Sequence, residues 1–174
     1  TAAVLALARA FAGRPCGRTV RWVLFANEEP PFFDTDEMGS RVYAARARTA
    51  GDRLVAMISL ETIGYYSDRP GSQRYPFPFS LFYPTQGDFV GFVSDLQSGP
   101  LVRRSLKAFR DSVPFPSQGV AAPAWIPGVF WSDHASFWIH GYRAIMITDT
   151  AFFRYPFYHT PEDTPDRLDY NRMA

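Results

Sequence analysis

The sequence predicts an α/β fold, and three observations support this prediction. Short apolar runs rich in β-branched residues alternate with longer segments of helical periodicity. These runs are nearly continuous in apolar character, which is typical of strands covered on both faces. The order strand, helix, strand further indicates a parallel pair. With 174 residues, the chain is long enough to bury a core and falls within the usual range of about 100 to 200 residues for one domain.

The first predicted elements are a helix and a strand. Apolar residues recur at helical spacing over residues 4–11, and Gly13 suits the position just past a helix end. The apolar run 20–26 predicts a central buried strand. Because helical spacing begins close to Thr1, with neither a start methionine nor a signal peptide, we expect the sequence to begin inside a helix, with part of the domain upstream.

Further elements follow from the same patterns. Buried strands are predicted over residues 54–60 and 144–148, and helices over residues 36–49, 88–95, 99–112 and 133–140. The two remaining long segments, residues 65–84 and 113–128, are rich in aromatic residues and proline and predict loops. Loops of this length in a compact domain are usually functional, so we expect both to line a substrate pocket of apolar character.

Composition excludes several classes of partner. Apolar residues make up 47% and charged residues 20% of a chain with a formal net charge of +1. Such a charge gives no field for attracting nucleic acid. Arg9 interrupts the longest apolar run, so no membrane span is predicted and the chain is expected to be soluble. The single cysteine, Cys16, can form no internal disulfide, and the compartment stays open.

Residues suited to metal chemistry follow the predicted strands. Glu28 and Glu29 come directly after the first, Glu61 after the second, and His159 some ten residues after the third. Since ligands of α/β sheets bind at the carboxyl ends of strands, these side chains are expected at one edge. Two glutamates and a histidine form a donor set suited to zinc, with a second glutamate left to activate water.

Each of these residues also has a purely structural interpretation. The Glu28–Glu29 pair could mark a solvated strand end, and Glu61 could cap a turn. His159 could be a structural histidine. Asp133, in the segment Ser-Asp-His-Ala-Ser-Phe, could cap the following helix. The flanking Pro-Pro-Phe-Phe segment favours function for Glu28, because a partly desolvated carboxylate has the raised pKa of a general base.

Taken together, four segments resemble the family of bacterial di-zinc aminopeptidases, which also contains glutamate carboxypeptidases, glutaminyl cyclases and the transferrin-receptor ectodomain. The segments occur in family order and at suitable spacing, and they are Phe-Ala-Asn-Glu-Glu (25–29), Leu-Glu-Thr-Ile-Gly-Tyr (60–65), Ser-Asp-His-Ala-Ser-Phe (132–137) and Tyr-His-Thr-Pro-Glu-Asp-Thr (158–164). The resemblance implies a three-layer α/β/α fold of the zinc-exopeptidase type with a mostly parallel mixed sheet. It also implies that residues 1–174 are an N-terminally truncated catalytic domain.

The same resemblance implies a role for each site residue. Glu28 corresponds to the general base that takes a proton from metal-bound water. Glu29 and His159 correspond to ligands of one zinc ion, and Glu61 to a ligand of the other. Asp133 corresponds to an acid that supports the metal site without binding metal.

The resemblance is incomplete at several positions. The place of Glu61 is commonly Asp, although zinc accepts either at about 2.0 to 2.2 Å. An upstream histidine and a bridging aspartate of the family are absent from the sequence. Where some relatives carry an oxyanion-stabilising tyrosine, this chain has Val129, and the sequence leaves Tyr142, Tyr155 and Tyr158 as alternatives.

The function expected on these grounds is that of a zinc-dependent aminopeptidase, a metallopeptidase and exopeptidase that hydrolyses peptides with a free N-terminus. Two other readings of the resemblance stay open. One is a glutaminyl-peptide cyclotransferase, which would release pyroglutamate instead of a free amino acid. The other is a receptor-like homologue without metal, which has no chemical need for the retained glutamates and histidine. The resemblance is compatible with a secreted or periplasmic location.

Overall fold

Four short strands form one mixed sheet in the computed structural model, which describes residues 1–174. The strands are β1 (Met57–Glu61), β2 (Val90–Ser94), β3 (Ser117–Ala121) and β4 (Ala144–Thr148), in the spatial order β1-β4-β2-β3. The pairs β1–β4 and β2–β3 are parallel, whereas β2 and β4 are antiparallel. The sheet is therefore mostly parallel, as the sequence resemblance implies.

Helices cover both faces of this sheet. On one side lie α2 (Gly39–Thr49) and α4 (His134–Ile139), and on the other lies α3 (Gly99–Ser112). Two further helices are α1 (Ala2–Phe11) and α5 (Tyr170–Met173). Neighbouring residues of β4 point to opposite faces. Ala144 packs in a cluster with α2 and α4, and Ile145 packs in a second cluster with α3 and β2. These two clusters make the fold a three-layer α/β/α arrangement. None of the helices is long and apolar enough to cross a membrane.

Several predicted elements agree with the structure. The predicted helix 99–112 and the predicted strand 144–148 have the same bounds as α3 and β4. The first helix is α1, and Gly13 after it has a φ of 72°, a left-handed conformation suited to glycine. The predicted helices 36–49 and 133–140 are present as the shorter α2 and α4, and β1 lies largely within the predicted strand 54–60.

The prediction of a central buried strand at residues 20–26 is wrong. The segment pairs with no strand, and Val20 and Leu24 are 48% and 51% exposed. Its other side is covered, since the Phe25 ring lies 5.5 Å from the Tyr43 ring and 6.0 Å from the Phe137 ring. The apolar character of the segment did not reveal that only one of its sides is buried. The strand β1 pairs with β4 and not with residues 20–26.

Two further predictions are wrong in the middle of the chain. Residues 88–95, predicted as a helix, contain β2, and the predicted loop 113–128 contains β3. Short apolar runs fit a strand or a helix equally well, and the pairing of β2 with both β3 and β4 decides between them. Residues 65–84 do form a loop, with one short 3₁₀ turn at Phe79–Leu81.

Candidate active site

Two parallel strands bring the acidic residues of the candidate site to one edge of the sheet. Glu61, the last residue of β1, is in register with Thr148, the last residue of β4. Asp149 follows and is 2% exposed. Its carboxylate accepts hydrogen bonds from the backbone N–H groups of Gly64 (2.9 Å), Tyr65 (2.8 Å) and Ala151 (2.9 Å). Asp149 therefore fixes the turn that follows Glu61, a role that the sequence analysis did not foresee.

The segment that carries Glu28 and Glu29 is held against the start of α2. The Gly39 N–H donates to the Ala26 carbonyl over 2.9 Å. A Cβ atom at position 39 would lie 2.9 Å from both the N and the O atom of Ala26, so only glycine permits this approach. Asn27 has a φ of 60°, which turns the chain directly before the two glutamates. Local backbone geometry thus directs the pair toward the sheet edge.

Glu28 is half-buried among other acids. Burial, together with the negative charges of Glu61, Asp133 and Glu29, raises the pKa of its carboxyl to about 8. A carboxyl group with a pKa near neutrality can both accept and return a proton.

Glu29 and His159 approach each other closely although they are 130 positions apart in the sequence. Glu29 Oε2 lies 3.4 Å from His159 Nε2, and the two side chains are 69% and 51% exposed. Two ligand atoms bound to one tetrahedral zinc at about 2.0 to 2.1 Å are about 3.3 Å apart. The pair therefore fits two positions of a zinc site in donor type and in separation.

Glu61 lies apart from this pair and is held by serines. The Ser132 hydroxyl donates to Glu61 Oε2 over 2.9 Å, and Ser59 Oγ lies 3.1 Å from Ser132 Oγ. Burial raises the pKa of Glu61, and the hydrogen bond from Ser132 opposes this effect. The protein contains no group of three or more His, Cys, Asp or Glu side chains arranged to hold a metal ion. Of the predicted ligands, only Glu29 and His159 come together.

Asp133 and His134 occupy different environments despite being neighbours. Burial raises the pKa of Asp133, and its buried Oδ1 atom has no hydrogen-bond partner. His134 is completely buried, and its Nε2 donates to the Val129 carbonyl over 2.8 Å. His134 thus supports the loop before α4 and lies outside the candidate ligand pair. Asp133 lies close enough to Glu28 to raise its pKa.

Tyr158 is the one of the three candidate tyrosines that faces the acidic residues. The Tyr142 hydroxyl donates to the Asp52 carbonyl and the Tyr155 hydroxyl donates to Asp163 Oδ1, so both are engaged elsewhere. The Tyr158 ring stacks on His159 with centroids 4.0 Å apart. Burial raises the pKa of Tyr158 to about 12, with further contributions from Glu61, Glu29 and Glu28. Its hydroxyl therefore stays protonated at neutral pH and available as a donor.

An apolar cavity of about 120 Å³ opens beside Glu61 and Tyr158. Its floor is the face of β2 and β3 opposite α3, where Gly91, Val93 and Val120 point into it. No α-helix covers this part of the sheet. Three segments cover it instead: the loop 65–84 through Tyr75, Phe79 and Tyr83, the chain between β3 and α4 through Ile126 and Trp131, and the 3₁₀ turn after β4 through Phe152. Both predicted loop segments thus contribute to one cavity, and Glu61 is its only charged lining residue.

The solved structures most informative about this arrangement are bacterial aminopeptidases. BSAP, a zinc aminopeptidase from Bacillus subtilis, matches with a TM-score of 0.68 at 19% identity, over 98% of this chain and 36% of that one. LapA from Legionella pneumophila gives 0.67 at 18%, over 98% and 41%. The aminopeptidase from Aneurinibacillus sp. strain AM-1 gives 0.62 at 21%, over 99% and 34%. At these identities the likeness establishes the fold.

Sequence comparison assigns the family. YfbL from Escherichia coli (strain K12) is 45% identical over 174 residues, which cover 99% of this chain and 53% of YfbL. The chain therefore spans about half the length of this relative. The sequence profile of peptidase family M28 matches residues 1–174, the whole of the chain. Together with the α/β/α fold and the four motif segments, this match shows that the chain belongs to peptidase family M28.

Proposed function

We propose that the protein containing this chain is a zinc-dependent aminopeptidase that removes N-terminal residues from peptides, with Glu28 as general base. One arrangement carries the proposal. Glu28 is half-buried with a pKa of about 8, and it adjoins the Glu29–His159 pair, whose separation is that of two zinc ligands. A proton acceptor beside a metal-binding pair is the minimum that metal-assisted hydrolysis requires.

In this proposal Glu29 and His159 bind one zinc ion and Glu61 binds a second. Zinc, when bound, polarises the carbonyl group of the scissile peptide bond and makes water more acidic. Residues 1–174 supply part of the ligand set in this proposal, and the remaining ligands, a histidine and a bridging aspartate, lie outside these residues. The match covers 53% of YfbL, so the proposal concerns a longer protein.

Glu28 accepts the proton of the attacking water and passes it to the departing amine. Its half-buried position suits this double task, because desolvation keeps the pKa high enough for the carboxyl group to hold the proton between the two transfers. Asp133, whose buried Oδ1 atom has no hydrogen-bond partner, supports the metal site in this proposal without reacting or binding metal.

Tyr158 is proposed to donate a hydrogen bond to the oxyanion that forms on the scissile carbonyl. Its hydroxyl is protonated, unengaged and placed between the acidic residues and the apolar cavity. A preorganised donor of this kind stabilises the charge that develops in the transition state.

The apolar cavity is proposed to hold the side chain of the substrate's first residue. Its lining is dominated by aromatic and aliphatic side chains, and Glu61 is the only charged member. We therefore expect leucine or phenylalanine at the N-terminus to be preferred over charged residues.

The test is a pair of conservative variants in the full-length protein. Glu28→Gln keeps the size of the side chain and removes the base, so zinc content persists while kcat falls by about 10² to 10⁴. Glu29→Gln removes a charged ligand, so zinc affinity itself falls by about 10-fold or more. Metal analysis and turnover on leucine p-nitroanilide are measured for both variants.

Three outcomes of this test separate the hypotheses. Loss of zinc in Glu28→Gln with retention in Glu29→Gln would reverse the two roles. Full activity and full zinc in both variants would refute the hydrolase. Formation of pyroglutamate from an N-terminal glutamine peptide, without release of free amino acids, would identify a cyclotransferase instead.

A further inference from the structure

Arg154 is a buried cation that lies outside the proposed catalytic machinery. It follows the short 3₁₀ turn after β4 and is 6% exposed. Its three hydrogen-bond acceptors are all neutral: Gln73 Oε1 (2.9 Å), the Tyr65 carbonyl (3.2 Å) and the Phe89 carbonyl (2.9 Å). Burial lowers the pKa of its guanidinium, and the negative charge of Asp149 acts in the opposite direction without forming a hydrogen bond to it.

The three acceptors belong to chain segments that meet around the apolar cavity. Tyr65 and Gln73 lie in the loop of residues 65–84, hereafter the aromatic loop, and Phe89 lies directly before β2. Gln73 and Phe89 line the cavity, whereas Arg154 stands behind them. One planar guanidinium thus joins the aromatic loop, the residue before β2 and the chain after β4. Arginine can do this because its donors lie in a rigid planar fork, which lysine lacks.

Packing around the guanidinium indicates that Arg154 holds neighbouring segments in place. It lies 4.6 Å from the centre of the Phe89 ring and 5.7 Å from that of the Tyr66 ring. A Cβ atom on Gly87 would lie 2.8 Å from Arg154 Cδ, so the chain approaches the arginine as closely as a glycine allows. Gln73 is in turn held by the Thr150 hydroxyl over 3.1 Å. Arg154 and Gln73 therefore fix this wall of the cavity from behind.

We propose that Arg154 is a specificity-determining positioning residue, which holds the aromatic loop in place as the wall of the cavity for the substrate's first side chain. The effect on substrate preference rests on the proposed aminopeptidase function. The placement of the loop rests only on the contacts of Arg154. Arg154 contacts none of Glu28, Glu29, Glu61 and His159 through a hydrogen bond. Its loss should therefore affect recognition of a large side chain and leave the chemistry on a small one intact.

The test compares leucine and alanine p-nitroanilides in the zinc-loaded, full-length protein. For Arg154→Met, kcat/KM on the leucine substrate should fall by about 10 to 100-fold, mainly through KM, while the alanine substrate changes by less than about 3-fold. Arg154→Lys should lose the leucine preference too, because it keeps the charge but not the planar fork. Arg53→Met, at an exposed arginine, is the matched control and should leave both substrates unchanged.

Hydrogen–deuterium exchange on the same variants tests the geometry without activity. Arg154→Met should increase exchange over residues 65–89 and leave α3 unchanged. A parallel fall in kcat on both substrates, or a full leucine preference in Arg154→Lys, would overturn the proposal, as would unchanged exchange over residues 65–89. If the parent protein cleaves neither substrate, the proposed function fails, and the exchange measurement alone decides the role of Arg154.

Discussion

Replacement of His134 should change how the stability of the protein depends on pH. Its imidazole is fully buried, and burial lowers the pKa from 6.5 to about 4, with the hydrogen bond to the Val129 carbonyl acting in the opposite direction. The unfolded chain therefore binds a proton on this histidine at a pH where the folded chain does not. The contribution of His134 to the free energy of unfolding is therefore fully present above pH 6.5. It is lost progressively as the pH falls from 6.5 to about 4.

The size of the effect follows from the two pKa values. As the pH falls from 7.5 to 4.5, the His134 contribution to the free energy of unfolding should fall by about 2.5 kcal/mol. The complete loss at lower pH is about 3.4 kcal/mol. Raised pKa values of nearby carboxyls, such as those of Asp133 and Asp149, act in the opposite sense, because they favour the folded state as the pH falls. Total stability alone is therefore not the correct observable.

The assay is urea unfolding of wild type and His134→Gln at pH 7.5 and pH 4.5. Glutamine does not titrate, yet its amide can still donate to the Val129 carbonyl. The stability advantage of wild type over the variant should shrink by about 2.5 kcal/mol between the two pH values, because the carboxyl contributions cancel in the difference. His140→Gln, at the C-terminal end of α4, serves as the control. An advantage that stays the same at both pH values would refute the reasoning.

Three other predictions concern the site and its frame. Tyr158→Phe keeps the stacked ring but removes the proposed oxyanion donor. Steady-state kinetics should therefore give a kcat lower by about 10² to 10³-fold with little change in KM, and a change in KM alone would contradict the assignment. Gly39→Ala should lower the free energy of unfolding by about 1 to 3 kcal/mol, since its Cβ would lie 2.9 Å from Ala26 backbone atoms, whereas Gly17→Ala, with no atom within 4 Å, should be neutral in urea unfolding. Residues 1–174 alone should bind zinc weakly, because the bridging carboxylate lies outside them in the proposal; tight binding of two zinc ions per chain by calorimetric titration would contradict it.

Local sequence patterns predicted the elements whose secondary structure is determined by their own residues. The helix α3 has a wide apolar stripe and proline in its first turn, and β4 is a short run of five buried or nearly buried residues. Both were predicted with their observed bounds. In contrast, the outcome for residues 20–26, 88–95 and 117–121 depends on pairing with backbone that is distant in sequence. The last two segments pair within the sheet, and residues 20–26 pair with no strand.

The candidate site shows the same division. The residue types and the motif segments indicated Glu28, Glu29, Glu61 and His159 as candidates from sequence. Glu61 does lie at the end of a strand, whereas no strand precedes Glu28 and Glu29. The sequence could not decide among three tyrosines. The structure separates them, since Tyr142 and Tyr155 donate to Asp52 and Asp163 and only Tyr158 faces the acidic residues.

The sequence by itself determined the α/β class, the family and the set of acidic and histidine residues, because these depend on residue type and on order along the chain. Only the tertiary structure decided that Glu29 and His159 lie 3.4 Å apart, that three distant segments enclose a cavity over β2 and β3, and that Arg154 joins Gln73 to Phe89. Each of these contacts joins residues that are distant in sequence. Their formation depends on the packing of the whole sheet and its helices, and no local pattern of side chains encodes that packing.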